Sequence, residues 1–196
     1  MYKALPMSKM KDGAIWLPAD APSPRPITLN SPALEAMTDL RKVLAATISA
    51  GESIVRATQL MIARRVRLLL VVSDDGLIAG LRSARDTMGA KPVRILQERR
   101  GATHEDLRVA DLMVPRKAID VLDIETVSRA EVGAILETLK QNGRQHALVL
   151  EASPVSNIEV VRGIFSATQI ARQLGIPLPI FEIAQTFAEI TSALEK

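Results

Sequence analysis

The 196-residue chain has no cysteine and only two histidines, His104 and His146, which excludes disulfides, thiolate metal sites and multi-histidine metal centres. It is 47% hydrophobic but 3% aromatic, so any core must be built from Leu, Ile, Val, Ala and Met. The net charge of +3 is unevenly spread: residues 40–120 hold 15 Lys/Arg against 9 Asp/Glu, whereas residues 121–196 hold 6 against 9. The excess is mostly arginine, whose planar fork suits phosphate and other anions. No aromatic interleaving or recognition-helix pattern accompanies it, which argues against nucleic acid. The apolar runs are strand-length and no long apolar segment opens the chain, so a soluble, cytoplasmic protein with no membrane partner is expected.

Residues 1–30 read as a proline-rich arm in which Pro6, Pro18, Pro22, Pro24 and Pro26 block regular structure. Within it, Ile15-Trp16-Leu17 forms a small apolar cluster suited to docking. The first unit, residues 31–90, opens at Ser31-Pro32, with serine as helix cap and proline at the first helical position. Val43 to Ile48 reads as a strand. Ser49 and Glu52 have capping-box spacing, and Ile54, Ala57, Met61 and Ile62 recur with the period of a helix face. Leu68 to Val72 is a buried-strand run, Asp75-Gly76 a hairpin turn, and Leu77 to Leu81 the return strand. Ser83 then caps a helix.

Residues 91–102 read as a linker, with Val93 to Leu96 as a short edge strand. The second unit, residues 103–175, repeats the order. Asp111-Leu112-Met113-Val114-Pro115 stands where Ala36-Met37-Thr38 stood, and Ile119 to Val127 contains a strand. Ser128 and Glu131 repeat the capping box, and Val127 and Val132 are spaced as a hydrophobic staple. Val132, Ile135, Leu136 and Leu139 supply the helix face. Ala147 to Leu150 and Ile158 to Phe165 form the hairpin. Residues 176–196 carry a last helix, apolar over a wide face (Phe181, Ile183, Phe187, Ile190, Leu194), suited to docking on the repeats or on a second subunit.

The duplication is clearest where a strand stops at glycine. Gly80-Leu81-Arg82-Ser83-Ala84-Arg85-Asp86 returns as Gly163-Ile164-Phe165-Ser166-Ala167-Thr168-Gln169, an offset of 83. The offset is 78 at Leu70 and Leu148, and the longer loop Glu151 to Asn157 accounts for the difference. Each unit presents an apolar face that it cannot bury alone, so two β-α-β-β-α repeats should pack about a pseudo-twofold axis, an α/β (α+β) architecture. A carboxylate at Asp86 can accept two hydrogen bonds from a vicinal diol, whereas the amide of Gln169 lacks the charge. A glycine at the strand end leaves room for a ligand to approach the backbone. Ser-x-x-Asp and Ser-x-x-Gln also serve as capping boxes without any ligand.

A helix ending in Asp-Leu-Met-Val-Pro, a strand, an amphipathic helix, a hairpin with an Asp-Asp-Gly turn, then Gly-x-x-Ser-x-x-Asp, all in tandem over residues 31–175, resembles a pair of CBS domains (a Bateman module). The first unit has Leu69-Leu70 where that family often has proline. The resemblance implies two clefts, many of which bind adenosine derivatives: AMP, ADP, ATP or S-adenosylmethionine. It places adenine among strand residues such as Thr47, Ile48 and Leu70, the ribose on Asp86, and phosphate or sugar near Ser83, with Arg82 alongside. Arg65 and Arg67 in the first unit, and Arg144 and His146 in the second, match basic positions that reach phosphates. Ser166 and Gln169 are the second-cleft counterparts. The expectation is a regulatory module, not an enzyme, and a homodimer, with no catalytic cofactor. It senses an adenosine-containing ligand chiefly in the Ser83–Asp86 cleft and acts on a separate protein partner. The alternative is a ligand-free dimerisation scaffold.

Overall fold

A computed structural model describes residues 26–88, 90–99, 103–153 and 158–176. The Trp16 cluster and the C-terminal helix read from the sequence lie outside these residues. The first elements of the described residues are a single helical turn, α1 (Ala33–Ala36), and a two-residue strand, β1 (Thr38–Asp39). The first hairpin unit is β2 (Thr47–Ser49), α2 (Ile54–Arg64), β3 (Leu68–Val72), β4 (Ile78–Ser83) and α3 (Arg85–Met88). A connecting helix, α4 (Ala90–Glu98), leads to a second short pair, α5 (Val109–Leu112) and β5 (Val114–Pro115). The second unit is β6 (Val121–Asp123), α6 (Ile124–Ser128), α7 (Val132–Gln141), β7 (His146–Ala152), β8 (Glu159–Ser166) and α8 (Ala167–Gln173).

Two four-stranded sheets result, in the orders β2-β3-β4-β5 and β1-β8-β7-β6. In each, a parallel pair crosses over through a helix and an antiparallel hairpin follows. The repeats match down to their irregularities. The hairpin register shifts between Val71 and Val72 in one copy and between Val149 and Leu150 in the other. That is the same position at the offset of 78. The first turn uses Gly76 at φ +80°, where glycine is at home, and Ser73 bonds Asp75 across it.

The edge strands are exchanged. β1 precedes the first unit yet pairs with β8 of the second, and β5 precedes the second yet pairs with β4 of the first. The cores follow the same exchange. Ile27, Ala33 and Ala36 are buried with Val127, Val132, Ile135, Leu136, Leu139, Phe165 and Ile170 of the second unit. Leu107, Val109 and Leu112 are buried against the first. Boundaries drawn in chain order, 31–90 and 103–175, therefore do not coincide with the packing, and Ile27 of the expected arm is a core residue at 5% exposure.

The strands do not stop at the two glycines: Gly80 lies inside β4 and Gly163 inside β8, and the exchange explains both. A Cβ on Gly80 would lie 2.5 Å from the Val114 carbonyl oxygen and 3.0 Å from Met113 Sδ, and one on Gly163 would run into the Met37 side chain. In this structure the glycines admit the partner repeat's edge strand and its methionine, where the sequence suggested room for a ligand. Met37 and Met113 pack against the two cores, as their apolar character requires.

Several local expectations shift. The strand read over Val43 to Ile48 is confined to β2, and Val43 and Leu44 are exposed. Ser53, rather than Ser49, caps α2, its hydroxyl accepting from the Arg56 amide at 3.1 Å. Ser31 takes the Thr28 amide instead of capping α1. Glu131 sits at the N-cap of α7 without a side-chain cap bond, and Ser128 donates to the Glu125 carbonyl. The expected edge strand at Val93 to Leu96 is helix α4. Proline is compatible there because Pro92 sits in the first turn, where its missing N–H costs nothing. Ile95 and Leu96 of α4 pack on Leu107 and Leu112, and Arg99 clamps Asp111 with two bonds of 2.5 and 3.1 Å.

A further apolar cluster joins the repeats. Leu68 and Leu70 of β3 meet Leu148 of β7, flanked by Leu81, Ile78, Ile164 and Val161. The hairpins of the two units thus meet across an aliphatic seam, whose Leu68 and Ile164 line one cavity and whose Leu81 and Leu148 line another.

Candidate functional site

The larger of two cavities described here has a volume of about 610 Å³, within the usual range for small-molecule sites. One wall is the end of α2 and the start of β3: Thr58, Met61, Ile62, Arg65, Val66, Arg67 and Leu68. The other is β8 and α8 of the second repeat, contributing Ile164, Ser166, Thr168, Gln169 and Arg172, with Thr38 of the exchanged strand, Ala84 and His146 completing it. The site therefore spans both repeats. Ile62, which the helical period assigned to the core face of α2, is 72% exposed and lines this cavity instead.

Among the described residues three arginines line it and no carboxylate does. Burial and the nearby Arg172 charge both push the Arg67 guanidinium below its ordinary pKa. His146 faces the same space and lies opposite Ser166 in the β7–β8 register. Burial holds its imidazole down to about 4, aided by the Arg67 charge and opposed by Asp86. At neutral pH this histidine is an uncharged hydrogen-bonding group. Arg65 closes α2 in the left-handed region, at φ 53° and ψ 37°, a conformation that disfavours any residue with a Cβ. Among the described residues it is the only non-glycine at positive φ. Its counterpart at the offset of 78 is Gly143, at φ 59°.

A smaller cavity of about 150 Å³ lies at the other end of the seam, lined by Leu81, Ile119 to Leu122, Thr138, Leu139, Asn142, Arg144 and His146 to Leu148. Arg144 pairs with Asp120 at 3.2 Å on its rim. His146 borders both cavities.

The sequence-derived site residues separate into three groups. Arg67, His146, Ser166 and Gln169 come together in the larger cavity, and Arg144, with His146 again, in the smaller. Ser83 and Asp86 line neither. The Asp86 carboxylate instead accepts from the Ser83 amide at 2.6 Å and the Ser83 hydroxyl at 2.8 Å. Arg82 lies 3.5 Å from the same oxygen and donates to the Ser83 carbonyl at 2.6 Å. Arg82 is fully buried, and burial lowers its pKa despite the aspartate. The first-repeat motif is thus closed by internal bonds, and Ser83 donates to Asp86 rather than presenting its oxygen to helix amides. Ile48 is a core residue, Leu70 belongs to the seam between repeats, and Thr47 is exposed on β2. None of these three lines either cavity. Thr168 and Arg172 were missed: Thr168 lies within the motif, between Ser166 and Gln169, and Arg172 three residues beyond Gln169, on a face that periodicity alone leaves ambiguous.

Among the described residues no group of three or more His, Cys, Asp or Glu could hold a metal ion, and no helix is long and apolar enough to cross a membrane. No family model matches the chain, and no curated protein matches it. Solved structures do. The chain is similar to an uncharacterized conserved protein from Pyrococcus horikoshii, with 19% identity and a TM-score of 0.55 over 79% of this chain and 100% of that one. It is also similar to a conserved CBS domain protein from Thermoplasma acidophilum (18%, TM-score 0.51, 80% and 78%) and to a CBS-domain containing protein from Agrobacterium tumefaciens (17%, 0.51, 70% and 93%). At these identities the likeness shows the fold, which is that of a CBS domain pair.

Proposed function

We propose that this protein is a regulatory module that takes an adenosine-containing small molecule (AMP, ADP, ATP or S-adenosylmethionine) in the larger cavity and signals its occupancy to a partner protein. The observation that carries this reading is the position of the cavity. Its walls come from different repeats, so a ligand there contacts α2 and β3 on one side and β8 and α8 on the other. Any ligand that prefers one spacing of the repeats shifts the population toward that spacing, and the exchanged strands would carry the shift to both sheets. Met61, Ile62, Val66, Leu68 and Ile164 supply apolar surface for a base, while Ser166, Thr168 and Gln169 supply donors and acceptors for a sugar. Gln169 would meet the ribose as a neutral amide.

Thermal denaturation with each of the four ligands tests the proposal. A site at a hundredfold excess over Kd gains about 2.7 kcal/mol, equivalent to roughly 5–10 °C for a chain of this length. Ala84→Phe, which fills the cavity, should abolish the shift. No shift with any of the four at millimolar concentration would sink the sensing reading.

A second reading, a ligand-free scaffold that forms homodimers and recruits a partner, draws support from the Ser83–Asp86 pair and from the glycines. Both motif elements are already used inside the fold. Under that reading the ligands leave the transition unchanged and light scattering reports a dimer in their absence.

A further inference from the structure

One wall of the larger cavity leads directly to Ile176, the last described residue. Thr168, Gln169 and Arg172 of α8 line that wall. The helix closes with a Schellman ending: the Gly175 amide donates to the Arg172 carbonyl at 3.1 Å and the Ile176 amide to the Ala171 carbonyl at 2.9 Å, with Gly175 at φ +74°. Such an ending turns the chain off the helix axis, and Ile176 is buried in the second-unit core. At about 1.5 Å of rise per residue, Arg172 and Thr168 lie roughly 5 and 10 Å back along the wall from Gly175. Five extended residues span up to about 17 Å, so residues 177–196 reach the cavity from its α8 side.

Chemistry decides which chain segment beyond the described fold suits that place. Residues 1–25 and 177–196 both leave the fold here, since the Ile27 amide bonds the Gln173 carbonyl at 3.4 Å. Arg65, Arg67 and Arg172 line the cavity, with no carboxylate among the described residues. Neither Arg65 nor Arg172 has an ion-pair partner among those residues. Beside them Ile62 holds a large apolar side chain 72% exposed. Residues 1–25 carry Lys3, Lys9, Lys11 and Arg25 against Asp12 and Asp20, a net +2 that the arginines repel. Residues 177–196 carry Glu182, Glu189 and Glu195 against Lys196, a net −2, and bring Phe181, Ile183 and Phe187. Charge and apolar surface select the same segment.

We infer that residues 177–196 dock across the mouth of the larger cavity of their own chain, their apolar residues against Ile62 and their carboxylates toward Arg65 and Arg172. The inference does not depend on the cavity's taking a small molecule. Where one binds, the segment competes with it for the same mouth, and release of residues 177–196 is a change that a partner protein can read.

The chain has no cysteine, so disulfide trapping in the full chain tests it. Ile62→Cys is combined in turn with Phe181→Cys, Ile183→Cys and Phe187→Cys. In the controls Lys117→Cys, at an exposed residue that lines neither cavity, replaces Ile62→Cys. Both anchors are exposed, so folding should survive, and a circular dichroism melt checks that it does. In dilute protein at least one Ile62→Cys pair should close an intramolecular disulfide about tenfold faster than its control, because docking raises the effective concentration of the two thiols. Adding Glu182→Lys and Glu189→Lys should slow that closure several-fold, as should high salt. Equal rates with the two anchors, or a rate that the charge reversal leaves unchanged, overturn the inference. Disulfide-linked dimers in place of the intramolecular bond overturn it in favour of docking on a second copy. Trapping that ATP slows supports both the docking and the sensing reading. Trapping that ATP leaves unchanged supports the docking and counts against the ligand, whereas an ATP-induced thermal shift without trapping does the reverse.

Discussion

Alanine at Gly80 of β4 and at Gly163 of β8 should have unequal effects, because the obstacles differ in kind. At Gly80 the new Cβ would lie 2.5 Å from the Val114 carbonyl oxygen, whereas carbon–oxygen contacts settle at about 3.3 Å or more. That oxygen cannot swing aside, since β5 is paired with β4 at Leu81↔Val114 and Gly80↔Pro115. Relief requires the exchanged strand to retreat by most of an ångström. Overpacking of this kind costs about 1–3 kcal/mol, and each ladder bond lost adds about 1 kcal/mol, so Gly80→Ala should cost about 2–4 kcal/mol. At Gly163 the obstacle is the Met37 side chain, which has several rotors and can be displaced; Gly163→Ala should cost about 1–2 kcal/mol. Urea denaturation measures both. A Met37→Ala change should interact favourably with Gly163→Ala, by about 1 kcal/mol in a double-mutant cycle, whereas Met113→Ala should do little for Gly80→Ala. Equal costs, or a neutral Gly80→Ala, would refute the claim that these glycines exist for the exchanged strands.

Other outcomes follow from the site itself. Arg65→Gly should raise stability by up to ~1 kcal/mol through relief of the left-handed conformation, readable by urea denaturation. His146 has a folded pKa of about 4 against an ordinary 6.5. The unfolded chain therefore binds the proton first, and stability should fall between pH 6.5 and 4 by roughly 1–3 kcal/mol after allowance for partial exposure. His146→Gln should flatten that window of the pH–stability profile. Asp86→Ala removes the carboxylate beside the buried Arg82 guanidinium and should cost about 1–3 kcal/mol. In the same variant, ligand affinity at the larger cavity should not weaken.

The repeat, the hairpins and the apolar faces were legible because each rests on local spacing. Val132, Ile135, Leu136 and Leu139 are buried as their period demands, and Asp75-Gly76 forms its turn. Exchange of β1 and β5 was not legible, since nothing in Met37-Thr38-Asp39 says which of two similar sheets it will join. The helix at Ala90–Glu98 was obscured by Pro92, which punctuates a sequence whether it ends a helix or begins one. At the site, Ser166 and Gln169 were named by repetition of the motif and Arg67 and His146 by the resemblance, and the fold brings the four together. The weight put on Asp86 came from the resemblance, since its local chemistry serves a capping box as well as a ribose. A carboxylate suits a ribose, but it suits a neighbouring serine and a buried arginine equally well, and only three-dimensional packing decides between them. Arg65 was named by the resemblance, and one comparison adds to it: its repeat counterpart is Gly143 at φ 59°, and an arginine at a glycine's left-handed position carries a backbone cost.

Backbone hydrogen–deuterium exchange with and without ATP tests the central claim most directly, because it reports where the ligand sits without any substitution. The account predicts slowed exchange at the end of α2 and start of β3, residues 61–68, and at the motif of the second repeat, residues 164–172, with residues 85–86 unchanged. Slowed exchange confined to residues 85–86, or no change in any of the three segments at saturating ATP, would contradict it.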